Sequence, residues 1–259
     1  MGTEITYQGS IAVVGTGPGS PEHITCQAKA VIEGSDTVVG YRWYVELIRP
    51  LLSSQSVHAF DMGEERERAE RAVDLAYQGH RVALVSGGDA GIYGMAGNLF
   101  ERLIERGWSR TTGVPVQVVP GVTAATACAA LLGSPLMQDF AVISLSDRFV
   151  PWAVIAKRLE SVASSDMVMV LYEPASHLRP HQIQEAQRLI LRHRGDQTPV
   201  GIVRDAFRPS QQVVVTSLGE MLRYDFDMRT VVLIGNSTTY VHEQVMITPR
   251  AHPGVTTKS

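Results

Sequence analysis

The chain is short of the residues that announce the commonest chemistries. It has two cysteines in 259 residues, Cys26 and Cys128, and neither belongs to a CxxC pair or another metal spacing. The eight histidines add no such spacing, so no metal is expected. Both cysteines fall in segments that pattern as apolar helix faces, where a thiol is buried and inert, and a reducing, cytoplasmic setting follows. Lys and Arg total 23 against 26 Asp and Glu, a net charge of −3. Without the basic excess that tracks phosphate backbones, nucleic acid is excluded as the main partner. No apolar run approaches the length of a membrane span, and the start lacks the basic-then-apolar layout of a signal peptide. Met1 to Thr6 fits a myristoylation pattern and Asn236-Ser237-Thr238 a glycosylation acceptor, but nothing else in the chain supports either. A G-x-S-x-G elbow, a phosphate loop ending in Gly-Lys-Ser and an H-E-x-x-H helix are all missing.

What the chain does have is apolar residues, 44% of the total, enough to build a core over one large or two moderate domains. Strand patterns at Ser10–Val14, Thr37–Val39, Val82–Val85, Val114–Val119, Phe140–Ser144, Met167–Leu171, Val200–Val203, Gln212–Thr216 and Thr230–Ile234 alternate with helical spacing. That alternation predicts an α/β fold in both halves. The helical stretches are Ile24–Ile32, one opening at the aromatic cluster Tyr41-Arg42-Trp43-Tyr44, Glu64–Tyr77, Leu99–Arg106, Pro151–Val162 and His181–Arg192. The polar, glycine-bounded stretch Gly107–Gly113 is the expected boundary, dividing the chain into residues 1–113 and 114–259. Little helix separates Gln212–Thr216 from the last strand, so an antiparallel hairpin is expected there. Beyond Tyr240 the chain turns polar and is expected to fray.

The most unusual stretch is Ser86 to Gly97. Glycines at 88, 91, 94 and 97 recur every third residue across a strand-to-helix junction. Glycine carries an entropic cost, so such a run implies a sharp backbone bend or close approach to something. In an open α/β sheet that place is the crevice beyond the carboxyl ends of the strands. Gly15-Thr16-Gly17-Pro18-Gly19-Ser20-Pro21 resembles half of a dinucleotide fingerprint but carries Ser20 at the third glycine position and two prolines, which disfavours a nicotinamide cofactor. Other backbone-rich loops follow the strands at Pro120–Thr123, Ser144–Asp147, Tyr172–Ala175 and Arg204–Ala206, and together they suit an adenine-like edge and a ribose. Asp89 is placed to face a positive ligand group, and Arg42, Arg148, Arg179, Arg204 and Arg208 to meet carboxylates.

Three of these stretches, Gly15–Gly19, Gly88–Gly97 and Pro120–Ala124, taken in order resemble the motifs of the tetrapyrrole methylases, S-adenosylmethionine-dependent enzymes of corrin and sirohaem synthesis. The resemblance spans about residues 10 to 236. Ala90, where the commoner loop has proline, together with Thr37–Tyr41, Leu171–Ser176 and Ile234–Ser237, resembles the branch that methylates carbon 17 of precorrin-3B. The resemblance implies two α/β domains with the cofactor cleft between them, usually in a homodimer. It implies cofactor contacts at Pro18, Gly88, Asp89, Ala90, Tyr93, Thr123, Ala124, Tyr172, Glu173, Asp205, Ala206, Ile234 and Gly235. The implied reaction adds a methyl group from S-adenosyl-L-methionine, leaving S-adenosyl-L-homocysteine, and contracts the macrocycle to precorrin-4 on the way to cobalamin. Metal-free and cobalt-bearing substrates are both open, as are a different ring carbon and a non-catalytic adenosine-ligand module. Ring contraction requires proton movement, for which Asp147, Glu173 and Asp205 are the candidates with His177 behind them. Arg42, Arg148 and Arg204 are the candidates for the substrate's carboxylates.

Overall fold

A computed structural model describes residues 9–176 and 179–251. Among the described residues thirteen strands and seven α-helices follow one another, in two compact units divided between Ala124 and Ala125. His177, the Met1–Thr6 pattern and Pro253 lie outside the described residues. Among the described residues no helix is long and apolar enough to cross a membrane.

The first unit is built on β1 (Ser10–Gly15), β2 (Thr37–Tyr41), β3 (Ser56–Phe60), β4 (Arg81–Ser86) and β5 (Val116–Val119). They form one sheet in the order β3-β2-β4-β1-β5, and every pairing is parallel. Val82 to Ser86 are buried without alternation, as expected of a parallel strand covered on both faces. One face packs on α3 (Glu65–Tyr77) and α4 (Met95–Glu105), through Ala69, Ala72, Val73, Leu99 and Leu103. The other packs on α1 (Cys26–Glu33) and α2 (Arg42–Leu47), through Ala28, Ile32 and Val45. Thr25 caps α1 by accepting the Ala28 N–H at 3.1 Å, which leaves Cys26 on the first turn and exposed. The expectation of two buried thiols therefore holds only for Cys128. Because β5 joins the first sheet beside β1, the first unit runs past the turn at Gly107–Gly113, and the division falls at residue 124 rather than 113.

The second unit holds α5 (Ala124–Leu132, its first residue at the junction), β6 (Gly133–Ser134), β7 (Phe140–Ser144), α6 (Trp152–Ser164), β8 (Val168–Tyr172), α7 (Gln182–Ile190), β9 (Pro199–Arg204), β10 (Gln212–Ser217) and β11 (Thr230–Ile234). Its main sheet has the order β10-β9-β11-β8-β7. β7 and β8 are parallel, while β11 runs antiparallel to both β8 and β9. The hairpin forms between β9 and β10, not between β10 and the last strand of the sheet, because β11 inserts on the far side of β9. Helices α6 and α7 cover one face through Ile155, Leu159, Ile183 and Ile190. α5 fits closely against Gly201, where an added Cβ would lie 2.3 Å from the Leu132 side chain.

Between residues 240 and 251 the chain is ordered rather than frayed. β12 (Tyr240–His242) and β13 (Val245–Ile247) form a hairpin, and β13 pairs with β6. Glu243 and Gln244 both have positive φ, 48° and 67°, the requirement of a tight two-residue hairpin turn. Met246 is fully buried, Thr239 and Thr248 share a 2.8 Å hydroxyl contact, and Gln138 donates to the Pro249 carbonyl at 2.7 Å.

Candidate functional site

In the first unit, parallel pairing puts the loops after β4, β1 and β5 side by side at one edge of the sheet. Their backbones touch. Gly17 and Gly88 exchange N–H···O=C bonds at 3.0 and 2.8 Å, and both have positive φ, 74° and 66°, a conformation that favours glycine. A Cβ added to Gly121 would lie 2.2 Å from the Gly88 carbonyl oxygen, and one added to Gly15 would lie 2.7 Å from the Gly121 nitrogen. Thr16 donates its N–H and its hydroxyl to the Ser86 carbonyl at 2.9 and 3.1 Å. Ser86 in turn accepts the Met95 N–H at 3.3 Å and so helps set the start of α4. A Cβ added to Gly88 would meet Ala124 N, Thr123 Cα and Val122 O at 3.7, 3.8 and 3.9 Å, ordinary contact distances.

Asp89 fastens this arrangement. One carboxylate oxygen accepts the Gly91 N–H at 2.8 Å and the other accepts the Gly121 N–H at 2.9 Å. Both of its oxygens thus engage backbone donors of these loops, contacts the sequence did not show. Ala90 is fully buried in the core beneath, and Pro18 is buried. Tyr93 stands 57% exposed with φ at 53°. Residues Pro18, Gly88, Asp89, Ala90, Tyr93, Thr123 and Ala124 thus lie on or beside one set of joined loops. A neighbouring feature was not foreseen: Tyr44 packs on Gly87, where a Cβ would come within 2.5 Å of its ring, and meets Tyr41 edge-on at 5.2 Å.

In the second unit β7, β8 and β9 end at a common edge. The residues just beyond β8 and β9, Glu173 and Asp205, have φ of 50° and 51°. Such strain in non-glycine residues persists only where the surroundings impose it, and it clusters at functional sites. Tyr172 accepts the Ala125 N–H at 2.7 Å, satisfying an orphan donor in the first turn of α5. Glu173 is held by Arg179 at 3.2 Å. Asp205 is 2% exposed and meets Ser210 at 2.8 Å, Arg229 at 3.0 Å and Arg208 at 3.4 Å, so both its oxygens are engaged. Ala206 is buried beside it. Asp147 is exposed and accepts only a long 3.4 Å bond from Gln182.

Ile234 and Gly235 are elsewhere. β11 is antiparallel, so its carboxyl end pairs with Met169 and Val200 at the opposite edge of the sheet. The Gly235 N–H donates to Pro199 O at 2.8 Å and its carbonyl accepts Arg194 at 2.5 Å. That backbone is used up by the fold. Arg194, 8% exposed, also reaches the carbonyls of Val162, Ala163 and Met167, and burial pushes its pKa down.

The expected substrate-binding arginines pair within the protein. Arg42 meets Asp61 at 3.1 Å, Arg204 meets Asp227 at 2.8 Å, and Arg148 lies 5.0 Å over the Phe149 ring. Burial pushes the Asp227 carboxyl up, but the Arg229 N–H, the Thr230 hydroxyl and the Arg204 guanidinium outweigh it and hold the group below its usual range. Arg68 was not foreseen. It is 4% exposed, donates to Asp61 O at 3.1 Å and to Met95 Sδ at 3.4 Å, and burial lowers its pKa. Its position in the charged Glu64–Tyr77 helix gave no sign of burial. Among the described residues no group of three or more His, Cys, Asp and Glu is placed to hold a metal ion.

Comparison with known proteins agrees with this arrangement. The family model described as Tetrapyrrole (Corrin/Porphyrin) Methylases matches residues 10–222. A Priestia megaterium protein named cobalt-factor III methyltransferase is 48% identical over 95% of this chain, which spans 45% of that protein's length. A Sinorhizobium protein named precorrin-3B C(17)-methyltransferase is 38% identical, with 95% of this chain and 98% of the relative covered. The solved structure of the methyltransferase CobJ superimposes with a TM-score of 0.86 at 35% identity, covering 93% of this chain and all of that one. The glycine-built loops, the α/β architecture and these matches together place the chain in one family: it belongs to the tetrapyrrole (corrin/porphyrin) methylases.

Proposed function

We propose that the chain methylates carbon 17 of a precorrin-3B-type macrocycle and contracts the ring, a step toward cobalamin. The observation that carries the reading is the meeting of Gly15, Gly88 and Gly121, fastened by Asp89, at the carboxyl edge of the first sheet. Such a surface offers main-chain donors and acceptors without side chains in the way, and so fits a nucleoside sulfonium that needs hydrogen-bonding edges and little proton transfer. S-adenosylmethionine, the family's methyl donor, supplies an electrophilic methyl group when bound. Pro18, Gly88, Asp89, Ala90, Tyr93, Thr123 and Ala124 are the residues we assign to hold it. Tyr172, Glu173 and Ala206 remain candidates from the second unit. Asp205, Ile234 and Gly235 are set aside: Asp205 is closed in by Ser210, Arg208 and Arg229, and Ile234 and Gly235 lie at the opposite edge of their sheet.

Positioning does most of the work in the methyl transfer, since an electron-rich ring carbon is itself a nucleophile and a well-held pair of reactants removes much of the barrier. Ring contraction needs a proton acceptor as well. Of the three carboxylates foreseen, Glu173 is the best suited, half-buried on strained backbone and tied by one oxygen. The more similar of the two named relatives carries the cobalt-bearing name, which favours a cobalt-bearing ring over the metal-free one. The same reading includes a cytoplasmic homodimer, which sedimentation of the purified chain checks.

The test is incubation with labelled S-adenosylmethionine and, in parallel, precorrin-3B and its cobalt counterpart. The expected product gains one methyl group by mass and shows the absorbance change of a contracted ring. No methyl uptake with either substrate overturns the reading.

A further inference from the structure

Arg179 follows β8 closely and joins the loops that end two strands. Its guanidinium donates to Ser146 beyond β7 and, beyond β8, to Ser176 at 3.2 Å and Glu173 Oε2 at 3.2 Å. Its backbone is pinned to Ser176 in both directions, at 3.1 and 3.0 Å. The side chain is 16% exposed against 31% for Glu173, so the cation is the fixed partner and the carboxylate the more accessible one. Arg179 also walls a cavity of about 210 Å³ with Trp152, Pro180, His181, Gln182 and Glu185. In that wall the Gln182 amide nitrogen is turned to Asp147 at 3.4 Å, while its buried carbonyl oxygen has no donor among the described residues. A buried acceptor left unmatched is costly, and an incoming O–H or N–H would satisfy it.

We propose that Arg179 is a positioning residue for the proton transfer of ring contraction, holding Glu173 by one oxygen so that the other meets the substrate, while a hydroxyl or amide substituent of the substrate enters the cavity beside it. This rests on the function proposed above. In the transfer a substrate O–H bond breaks, the proton goes to the Glu173 carboxylate, and the electron pair stays on the substrate oxygen. Arg179 exchanges no proton; it fixes the acceptor's orientation.

The experiment follows methyl uptake by mass and contraction by absorbance in the wild type and in Arg179→Met, Arg179→Lys and Glu173→Gln, with a thermal midpoint for each. In R179M contraction falls about 100-fold relative to methyl uptake, and methylated but uncontracted product accumulates. R179K, which keeps the charge, recovers part of the rate. E173Q, which cannot take up the proton, loses contraction. If R179M contracts as fast per methyl transferred as the wild type, or if both Arg179 variants lose both steps equally, the inference is overturned while the methyltransferase reading stands. Absence of methyl uptake in the wild type overturns that reading and this inference with it.

Discussion

The Asp89 carboxylate reaches across 32 residues of chain to accept the Gly121 N–H at 2.9 Å. Its other oxygen closes a turn on Gly91, so a single side chain fixes the loop after β4 and ties it to the loop after β5. Hydrogen bonds to a charged partner contribute about 1.5–3 kcal/mol each. Asp89→Ala should therefore lower stability by about 2 kcal/mol and weaken binding of S-adenosylhomocysteine at least tenfold, since the two loops lose their common anchor. Asp89→Asn keeps one acceptor oxygen and should fall between. Calorimetric titration beside thermal unfolding checks this, and wild-type affinity in D89A would show that the joined loops do not form the donor site.

Gly121 is a sharper case because what it excludes is space. A Cβ there would sit 2.2 Å from the Gly88 carbonyl oxygen and 2.8 Å from the carbonyl carbon of Gly15, and both are backbone atoms that cannot swing aside. Gly121→Ala should separate the loops and abolish cofactor binding. Gly97→Ala, with nothing within 4 Å of the added Cβ, should leave binding intact and gain a few tenths of a kcal/mol from helix propensity. Equal affinities in the two variants would overturn the account of the loops.

The glycines of this site were legible in the sequence because their cause is local: a residue without Cβ at the end of an apolar strand already says that backbone approaches backbone. Asp89 was legible as a candidate but not in its contacts, since its partner Gly121 depends on the pairing of β5 beside β1, which no local pattern reports. The direction of β11 was hidden for a similar reason. Thr230–Ile234 is buried throughout and looks the same whether parallel or antiparallel, and its antiparallel pairing puts Ile234 at the opposite edge of the sheet from Glu173 and Asp205. Ser56–Phe60 escaped notice because β3 is an edge strand with no fully buried residue, and β12 and β13 because each is three residues long. Asp205 was found as a candidate, but the guanidiniums that occupy it come from Arg208 and Arg229, and the second belongs to a turn whose approach the sequence does not show.

The amino ends of β2 and β4 carry an ion pair with a consequence for acid stability. Arg81 donates to Asp36 through its backbone N–H at 2.8 Å and through its guanidinium at 2.6 Å. These hydrogen bonds, the guanidinium's first, hold the Asp36 carboxyl down at about 2. The unfolded chain titrates near the ordinary value of about 3.9. The contribution is thus fully present above about pH 4 and is lost as the pH falls toward 2. The pair is exposed, so water limits it to about 1 kcal/mol or less. Asp36→Asn should be less stable than the wild type near neutral pH and converge with it at the acid end. Denaturant unfolding across that range decides the matter, and a constant gap between the two proteins would show that Asp36 is not linked to folding.

The two cysteines should separate cleanly by reactivity. Cys26 lies on the first turn of α1 and is exposed, whereas Cys128 is buried in α5. Burial pushes the Cys128 thiol up to about 12, so it holds almost no thiolate at neutral pH, and the thiolate is the nucleophile. Under native conditions a maleimide or a disulfide reagent should label one thiol per chain, at a rate that Cys26→Ser abolishes. The second thiol should appear only on unfolding, with the denaturant dependence of the global transition. Cys26→Ser should leave stability within about 0.5 kcal/mol, while Cys128→Ser puts a hydroxyl among buried apolar side chains and should cost about 1–3 kcal/mol. Rapid native labelling of Cys128 in the Cys26→Ser protein would mean that α5 opens without global unfolding, and would overturn its assignment to the closed core of the second unit.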